Sequence, residues 1–518
     1  MSLIKKLAGE TAIYGVSSIL SRLLHWVILT PYLTSYFYEG EYGIITILYI
    51  YNAYLLILLV FRQETALFRF GSQKNLLEIS FRKTSIIVLL LTLVSCTFLF
   101  IATPLIATLI EGPALYIRWI IVIILFDALS AVPFARLRLE NRPIRFAALK
   151  VVGILTNIGF IFFFLELCPY LISQYDWTFL ETIYNKEYSV GYVFLSNLLA
   201  SGLVFLLLTP MYWQTINSRK FKQEEILDQE FAIEQQIPSE KATRLSYKQL
   251  IVYAFPLVIA AFAGTLNQFF GTNILKWIGG ETEEIGWELA GSYGAIAKLA
   301  VIMNLFTQAF NYAAEPFFFR NNDRSNSDSI YANLGFMYTL VACTAFVGVM
   351  AYLDVVQLLI DNKFRDNLEI VPILLLAYLF LGLFYNFSAW YKLEDKTRYG
   401  GYIAIGGTVI TVAVNFTLVP LIGIIAPAIT ALLCYFFMTS SSYILGRRYR
   451  PIPYPIGKMG FYILASIAAV GLILVSKSLN ADNLFIRLTI NTIVLFVFLG
   501  LVFVLEKKKI IQILKGID

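Results

Sequence analysis

Charge is scarce in this chain. Of its 518 residues only 14% are Asp, Glu, Lys or Arg, against about 25% in soluble domains. With 58% hydrophobic residues and a mean hydropathy of +0.72, that scarcity excludes a soluble globular domain and implies a polytopic membrane protein. Histidine is nearly missing: His25 is the only one. Together with the lack of a Gly-rich phosphate loop and of a GxSxG elbow, this leaves no catalytic constellation and argues against an enzyme. Cysteine is sparse too. Cys96, Cys168, Cys343 and Cys434 all lie in or at the end of apolar segments, with no CxxC pair. They read as small core residues rather than disulfides or metal ligands. The net charge of +6 must be sorted by loop before it says anything about partners, and nothing in it points to nucleic acid.

Long apolar runs are what the chain has in abundance. Stretches of about 20 residues between polar breaks give fourteen expected spans. They cover about 9–36, 42–61, 84–110, 115–135, 147–167, 190–213, 248–275, 290–318, 329–353, 368–391, 399–419, 422–446, 458–476 and 484–505. The division at 419–422 rests on Pro420 and Gly423, which mark a tight turn. Lys5 and Lys6 precede an apolar run too long for a signal peptide, so the first helix reads as retained. With the N-terminus cytoplasmic, the even-numbered connections and the two ends hold 31 Lys and Arg, and the opposite side holds 7: Arg118, Lys186, Lys276, Lys363, Arg365, Lys477 and Arg487. That asymmetry predicts both termini in the cytoplasm. The charged connection 214–247 falls between spans six and seven. The expected organisation is therefore a six-helix lobe (1–213), a cytoplasmic linker (214–247), a second six-helix lobe (248–446), and two appended helices with a tail (447–518).

Two of the 40 Lys and Arg residues fall outside every connection: Arg22 and Lys298. The acids Asp127 and Glu315, with His25, complete an intramembrane ionisable set. Ionisable groups at such depth are costly and usually face a cavity or a partner. Arg22 lies roughly 24 Å along a helix that starts at Lys6, at ~1.5 Å per residue, near the expected midplane. Thr11, Tyr14, Ser18, Ser21, Arg22 and His25 share one face of it. A guanidinium there suits a phosphate, because its planar fork of donors is always charged; pairing with a buried carboxylate is the structural alternative. Asp127 has three readings: a hydrogen bond to a neighbouring hydroxyl, a pair with Arg22, or a seat for a coupling cation. In span eight, Asn304, Gln308, Asn311 and Glu315 follow one another at spacings of four, three and four, hence on one face. Glu315 precedes Pro316, which frees a carbonyl and can bend the helix. Pro31 and Pro256 are the other hinge candidates.

Several stretches resemble the polysaccharide-biosynthesis (Wzx-type) flippases of the MOP exporter superfamily, which also holds MATE and MurJ-type proteins. They are SRLLHWVILTPYL in the first span, EGEYGIITIL at Glu39–Leu48, RQETALFRFG at Arg62–Gly71, YAFPLVIA at Tyr253–Ala260 and QAFNYAAEPFFFR at Gln308–Arg320. The resemblance implies an all-α fold of two six-helix lobes around a central cavity, working by alternating access. It implies an undecaprenyl-pyrophosphate-linked oligosaccharide as substrate, moved across a bacterial cytoplasmic (inner) membrane. MurJ-type members resemble this chain in carrying arginine in the first helix. On this reading Arg22, His25 and Lys298 are cavity cations for the substrate, while Asp127, Asn304, Gln308, Asn311 and Glu315 line the cavity or couple transport; the alternatives are a core role for His25, an interfacial position for Glu315 and a Lys298 that snorkels outward. No cofactor or metal is expected, with a proton or sodium ion as the coupling species. The expected partners are the lipid-linked oligosaccharide, membrane lipid and polysaccharide-assembly proteins, around a monomer. A MATE-type cation-coupled antiporter is the alternative; a polysaccharide polymerase would want a large outer loop that the sequence lacks.

Overall fold

The computed structural model describes residues 23–72, 76–175, 178–217, 245–321, 327–394, 396–479 and 483–514, and these form helices with no strand. Apolar surroundings leave backbone amides no partner but one another, and helices satisfy them within each segment. Twelve stretches are long and apolar enough to cross a membrane. One of them, Arg398–Tyr449, is two helices, Arg398–Ile422 and Ala426–Tyr449, joined by the 3-10 turn Gly423–Ile425. Gly423 has φ +61° there, a left-handed conformation that suits a residue without Cβ. The expected break after Pro420 is thus present, displaced by three residues. The first half of the first expected span, including Arg22, lies outside the described residues. Its remainder is a π-helical turn His25–Leu29 followed by the helix Thr30–Tyr36.

The chain divides into two compact units, Met1–Leu29 with Glu41–Phe269, and Thr30–Gly40 with Phe270–Asp518. In the first unit, Ala114–Leu139 packs on Leu77–Ile101 and on Gly191–Asn217, which also packs on Pro143–Phe162. One end of this bundle is stapled by charge. Arg136 is buried, pairs with Glu78 and with Glu140 (2.5 Å), and lies over the Phe81 ring; Arg142 reaches Glu140 at 3.0 Å. Leu245 and Leu250 close on Ala66 of the short helix Gln63–Gly71.

In the second unit, Ile370–Phe387 packs on Glu283–Asn321, Ser327–Ala351 and Ala426–Tyr449. Thr30–Gly40 is tied into this unit at three points: Asp361 N–H donates to Thr34 Oγ1 (3.2 Å), Lys363 Nζ to the Ser35 carbonyl (3.3 Å) and Ser292 to Glu39 (3.0 Å). The two last helices, Ile456–Leu479 and Leu484–Leu514, pack on each other and on Ser327–Ala351. Polar contacts fix both ends of the final helix. Arg487 meets Asp354 at 3.3 Å and Asn491 donates to the Ala351 carbonyl at 3.2 Å, while the buried Glu506 accepts from Lys458 (3.0 Å) and Tyr462 (3.1 Å). The lead-in to these helices, Arg450–Ile456, is held by three successive i→i+2 backbone bonds of 2.8 Å centred on Pro451, Pro453 and Pro455. Proline's fixed φ favours such γ-turns.

Candidate functional site

Within the first unit, four spanning helices bring polar side chains together at Asp127. The Ser201 side chain hydrogen-bonds the Asp127 carboxylate, and the Lys150 ammonium is near enough to act on it electrostatically. Lys150 Nζ lies 4.1 Å from the centroid of Phe134, two helical turns from Asp127 on the same face. Asn197, one turn before Ser201, donates to the Tyr49 hydroxyl at 3.1 Å, and Tyr49 in turn feels the Asp127 charge. Asn197 and Ser201 thus serve as a two-rung bracket, one rung holding a phenol and the other a carboxylate. A carboxylate among apolar helices is strongly disfavoured unless hydrogen-bonded and charge-compensated; Ser201 and Lys150 supply those two terms.

Lys150 is the residue that sequence reasoning missed. Sorting cations by loop counts it with Arg142 and Arg145, yet it lies inside the helix Pro143–Phe162, which begins at a proline suited to the first helical turn. The available signal was its position three residues inside the apolar run that starts at 147. Arg487, counted as an outer-loop cation, likewise lies inside Leu484–Leu514 and is paired. Glu506 is a buried carboxylate that the ionisable set omitted.

In the second unit, the helix Glu283–Asn321 carries Lys298, Asn304, Gln308, Asn311, Glu315 and Pro316, and its path continues through the proline. Gln308 Nε2 donates to Asn304 Oδ1 at 3.1 Å, so two of the four striped residues form one amide ladder; Asn304 is buried and Asn311 half-buried. An adjacent face of the same helix is packed. Thr307 is fully buried, shares a 2.9 Å hydrogen bond with the Tyr338 hydroxyl and lies 3.4 Å from the Tyr378 carbonyl. Phe306 and Phe310 flank the Tyr338 ring at 5.7 and 4.9 Å. Lys298 is half-buried. Asp127 therefore belongs to one unit and Lys298, Asn304 and Gln308 to the other.

Arg22 lies outside the described residues, as do the side chains of His25, Glu315 and Pro316. Pro31 sits in the helix Thr30–Tyr36 directly after the π-helical turn, and Pro256 lies inside Tyr247–Ile278 with its ring exposed. Among the described residues no group of three or more His, Cys, Asp or Glu could hold a metal ion.

No family model and no curated protein sequence matches the chain. Solved structures do. A lipid II flippase MurJ in an inward closed conformation superposes with a TM-score of 0.67 at 13% identity, covering 95% of this chain and 98% of that one. This chain has the MATE and MurJ fold. An inward-facing multidrug resistance MATE family transporter of the MOP superfamily matches with a TM-score of 0.58 at 15% identity, over 85% of this chain and 94% of its own. A MATE in complex with MaD5 gives 0.55 at 13% identity with the same coverage. The MATE and MurJ fold is the all-α membrane architecture expected from the apolar runs.

Proposed function

We propose that this protein is a flippase that carries an undecaprenyl-pyrophosphate-linked oligosaccharide across a bacterial cytoplasmic membrane by alternating access. The observation that carries the reading is the extent of the likeness: the flippase MurJ matches over 95% of the chain, the MATE transporters over 85%. Arg22 supplies the chemistry. At the midplane position that the sequence leads one to expect for Arg22, a permanent cation is suited to a pyrophosphate, since charge-assisted and often bidentate bonds are the strong ones. His25 and Lys298 add cationic character, and Asn304, Gln308, Asn311 and Glu315 add sugar-compatible donors and acceptors. Transport makes and breaks no bond in the substrate.

The MATE-type antiporter reading keeps one specific support, the Asp127 site in the first unit, because a carboxylate with a hydroxyl neighbour can also seat a coupling proton or sodium ion. Depletion of the protein separates the two. Accumulation of one undecaprenyl-linked intermediate on the cytoplasmic side is the expected result, and unchanged lipid intermediates with lost efflux of cationic drugs would overturn the flippase reading. Within it, Arg22→Ala should abolish export while the folded protein persists in the membrane, and Arg22→Lys should rescue only partly, keeping the charge but losing the fork. Full export by Arg22→Ala would remove the pyrophosphate role.

A further inference from the structure

The helices Arg398–Ile422 and Ala426–Tyr449 form an antiparallel hairpin in the second unit, and its open end carries an unusual grouping. Tyr399 and Tyr449 hydrogen-bond to each other through their hydroxyls. Each phenol owns one O–H, so the shared bond spends one proton and leaves the second O–H without an acceptor among the described residues. The Lys396 ammonium rests on the Tyr449 ring, 3.9 Å from its centroid, and the Arg448 charge acts on Tyr399. Among the described residues, Lys396, Arg398 and Arg448 form no ion pair. The contrast is with Arg450, two residues on, which is bound by Asp328 at 2.8 Å and by Glu394 at 3.6 Å.

Below these cations each helix shows an uncovered apolar stripe. Tyr402, Ile405, Val409 and Phe416 are all exposed, and at ~100° per residue they fall within about 40° of Arg398 around the helix. Leu433 and Ile444 are exposed and fall within about 60° of Arg448 by the same reckoning. Each stripe is thus topped by an arginine with no carboxylate partner among the described residues, and between the arginines stands a phenol pair with a proton to donate. The hairpin end is also rigidly built. Trp390 stacks on Tyr449 at 5.3 Å and donates to the Ser442 carbonyl at 3.0 Å. A Cβ on Gly446 would come within 2.8 Å of the Trp390 ring, and one on Gly400 within 2.9 Å of Tyr391.

We infer that Arg398, Arg448 and the Tyr399–Tyr449 pair form a binding site for the phosphate of an anionic membrane phospholipid, whose acyl chains lie along the two exposed stripes. Three features select this ligand. Among the described residues the cations lack counter-charge, the phenol pair has an O–H to donate, and apolar stripes continue from the cations along both helices. A free anion would use the first two and leave the third without purpose. The inference does not depend on which substrate the protein carries.

Native mass spectrometry of the full chain, titrated with phosphatidylglycerol or phosphatidylcholine of matched chains, tests it. One phosphatidylglycerol should be retained at least fivefold more strongly than phosphatidylcholine. Arg398→Gln/Arg448→Gln should abolish that preference, Arg398→Lys/Arg448→Lys should keep most of it, and Tyr399→Phe/Tyr449→Phe should lower it two- to threefold. Arg447→Gln, which removes an exposed charge about 100° away on the same helix, should leave it intact. The inference fails if Arg447→Gln matches Arg448→Gln in effect, since binding would then be a diffuse response to positive charge. It fails equally if inorganic phosphate displaces the lipid at comparable concentration, or if the two headgroups are retained alike. Should the double glutamine variant not fold, the lysine and phenylalanine variants still decide.

Discussion

Removing the Lys150 ammonium while leaving Asp127 in place is the sharpest perturbation of the first unit. In Lys150→Gln the carboxylate keeps its Ser201 hydrogen bond but loses the cation that acts on it. Breaking a fully buried pair by removing one partner costs about 3–5 kcal/mol. Here the ammonium acts on the carboxylate from over the Phe134 ring, two turns along the helix, and the hydroxyl remains, so the expected loss is about 0.5–1 kcal/mol. The first unit has the size of domains for which 1 kcal/mol shifts Tm by about 2–4 °C, so a drop of about 1–4 °C should be visible by thermal scanning of the purified protein. Asp127→Asn/Lys150→Gln, which removes both charges, should regain most of the loss, and Ser201→Ala alone should cost about 0.5–1.5 kcal/mol, the worth of one hydrogen bond. The same variants divide structure from coupling: if Asp127 exchanges a proton or sodium ion, the double variant is stable yet loses gradient-dependent transport. An unchanged Tm in Lys150→Gln, or a double variant as unstable as the two singles added together, would refute the compensation argument.

Three further outcomes are expected. Single cysteines placed at Arg142 and Arg450 should be labelled only from the cytoplasm and one at Glu284 only from outside; labelling of Arg450 and Glu284 from the same side would sink the orientation. A Cβ at Gly382 would fall 1.7 Å from the Tyr338 hydroxyl, so Gly382→Ala should overpack the second unit and strip Thr307 of its partner, at about 2–4 kcal/mol in thermal stability; a wild-type Tm would show that the helices separate freely at this point. Glu506→Ala should destabilise by about 2–4 kcal/mol, because Lys458 and the buried Tyr462 hydroxyl both lose their acceptor, whereas Glu506→Gln should cost less.

The membrane architecture was legible because hydropathy acts on whole segments. Apolar runs the length of a bilayer mark helices whatever their neighbours, and the turn at Gly423 was readable because a proline with a glycine three residues on is a local instruction. Side-chain partners are not local. Lys150 and Asp127 are separated by 23 positions, and only the packing of their two helices with Gly191–Asn217 gives the lysine a role beyond that of a helix-end cation. Glu39 and Ser292 are separated by 253 positions, and no periodicity connects them. The face formed by Asn304 and Gln308 could be read from spacing, because residues four apart on a helix are neighbours. The use of Thr307 beside them could not, since it depends on Tyr338 reaching past Gly382 from another helix.

The polar clusters at Asp127 and at Asn304 use different chemistry, and the difference has a functional consequence. In the first, a carboxylate is balanced by an ammonium and a hydroxyl, all groups whose interaction changes when a proton or cation arrives. Around Asn304 in the second unit, Asn304 bonds Gln308 and Thr307 bonds Tyr338, neutral pairs that are indifferent to pH over the physiological range; the charged pairs of that unit, Glu506 with Lys458 and Asp354 with Arg487, involve other helices. A gradient can do work only on a group whose charge or occupancy changes along it. Asp127 is therefore a group on which an ion gradient could act, and the neutral ladder at Asn304 and Gln308 is suited to holding a polar ligand in place. Variants of Asp127 should accordingly alter the dependence of transport on the gradient, and variants of Asn304 or Gln308 its dependence on substrate concentration.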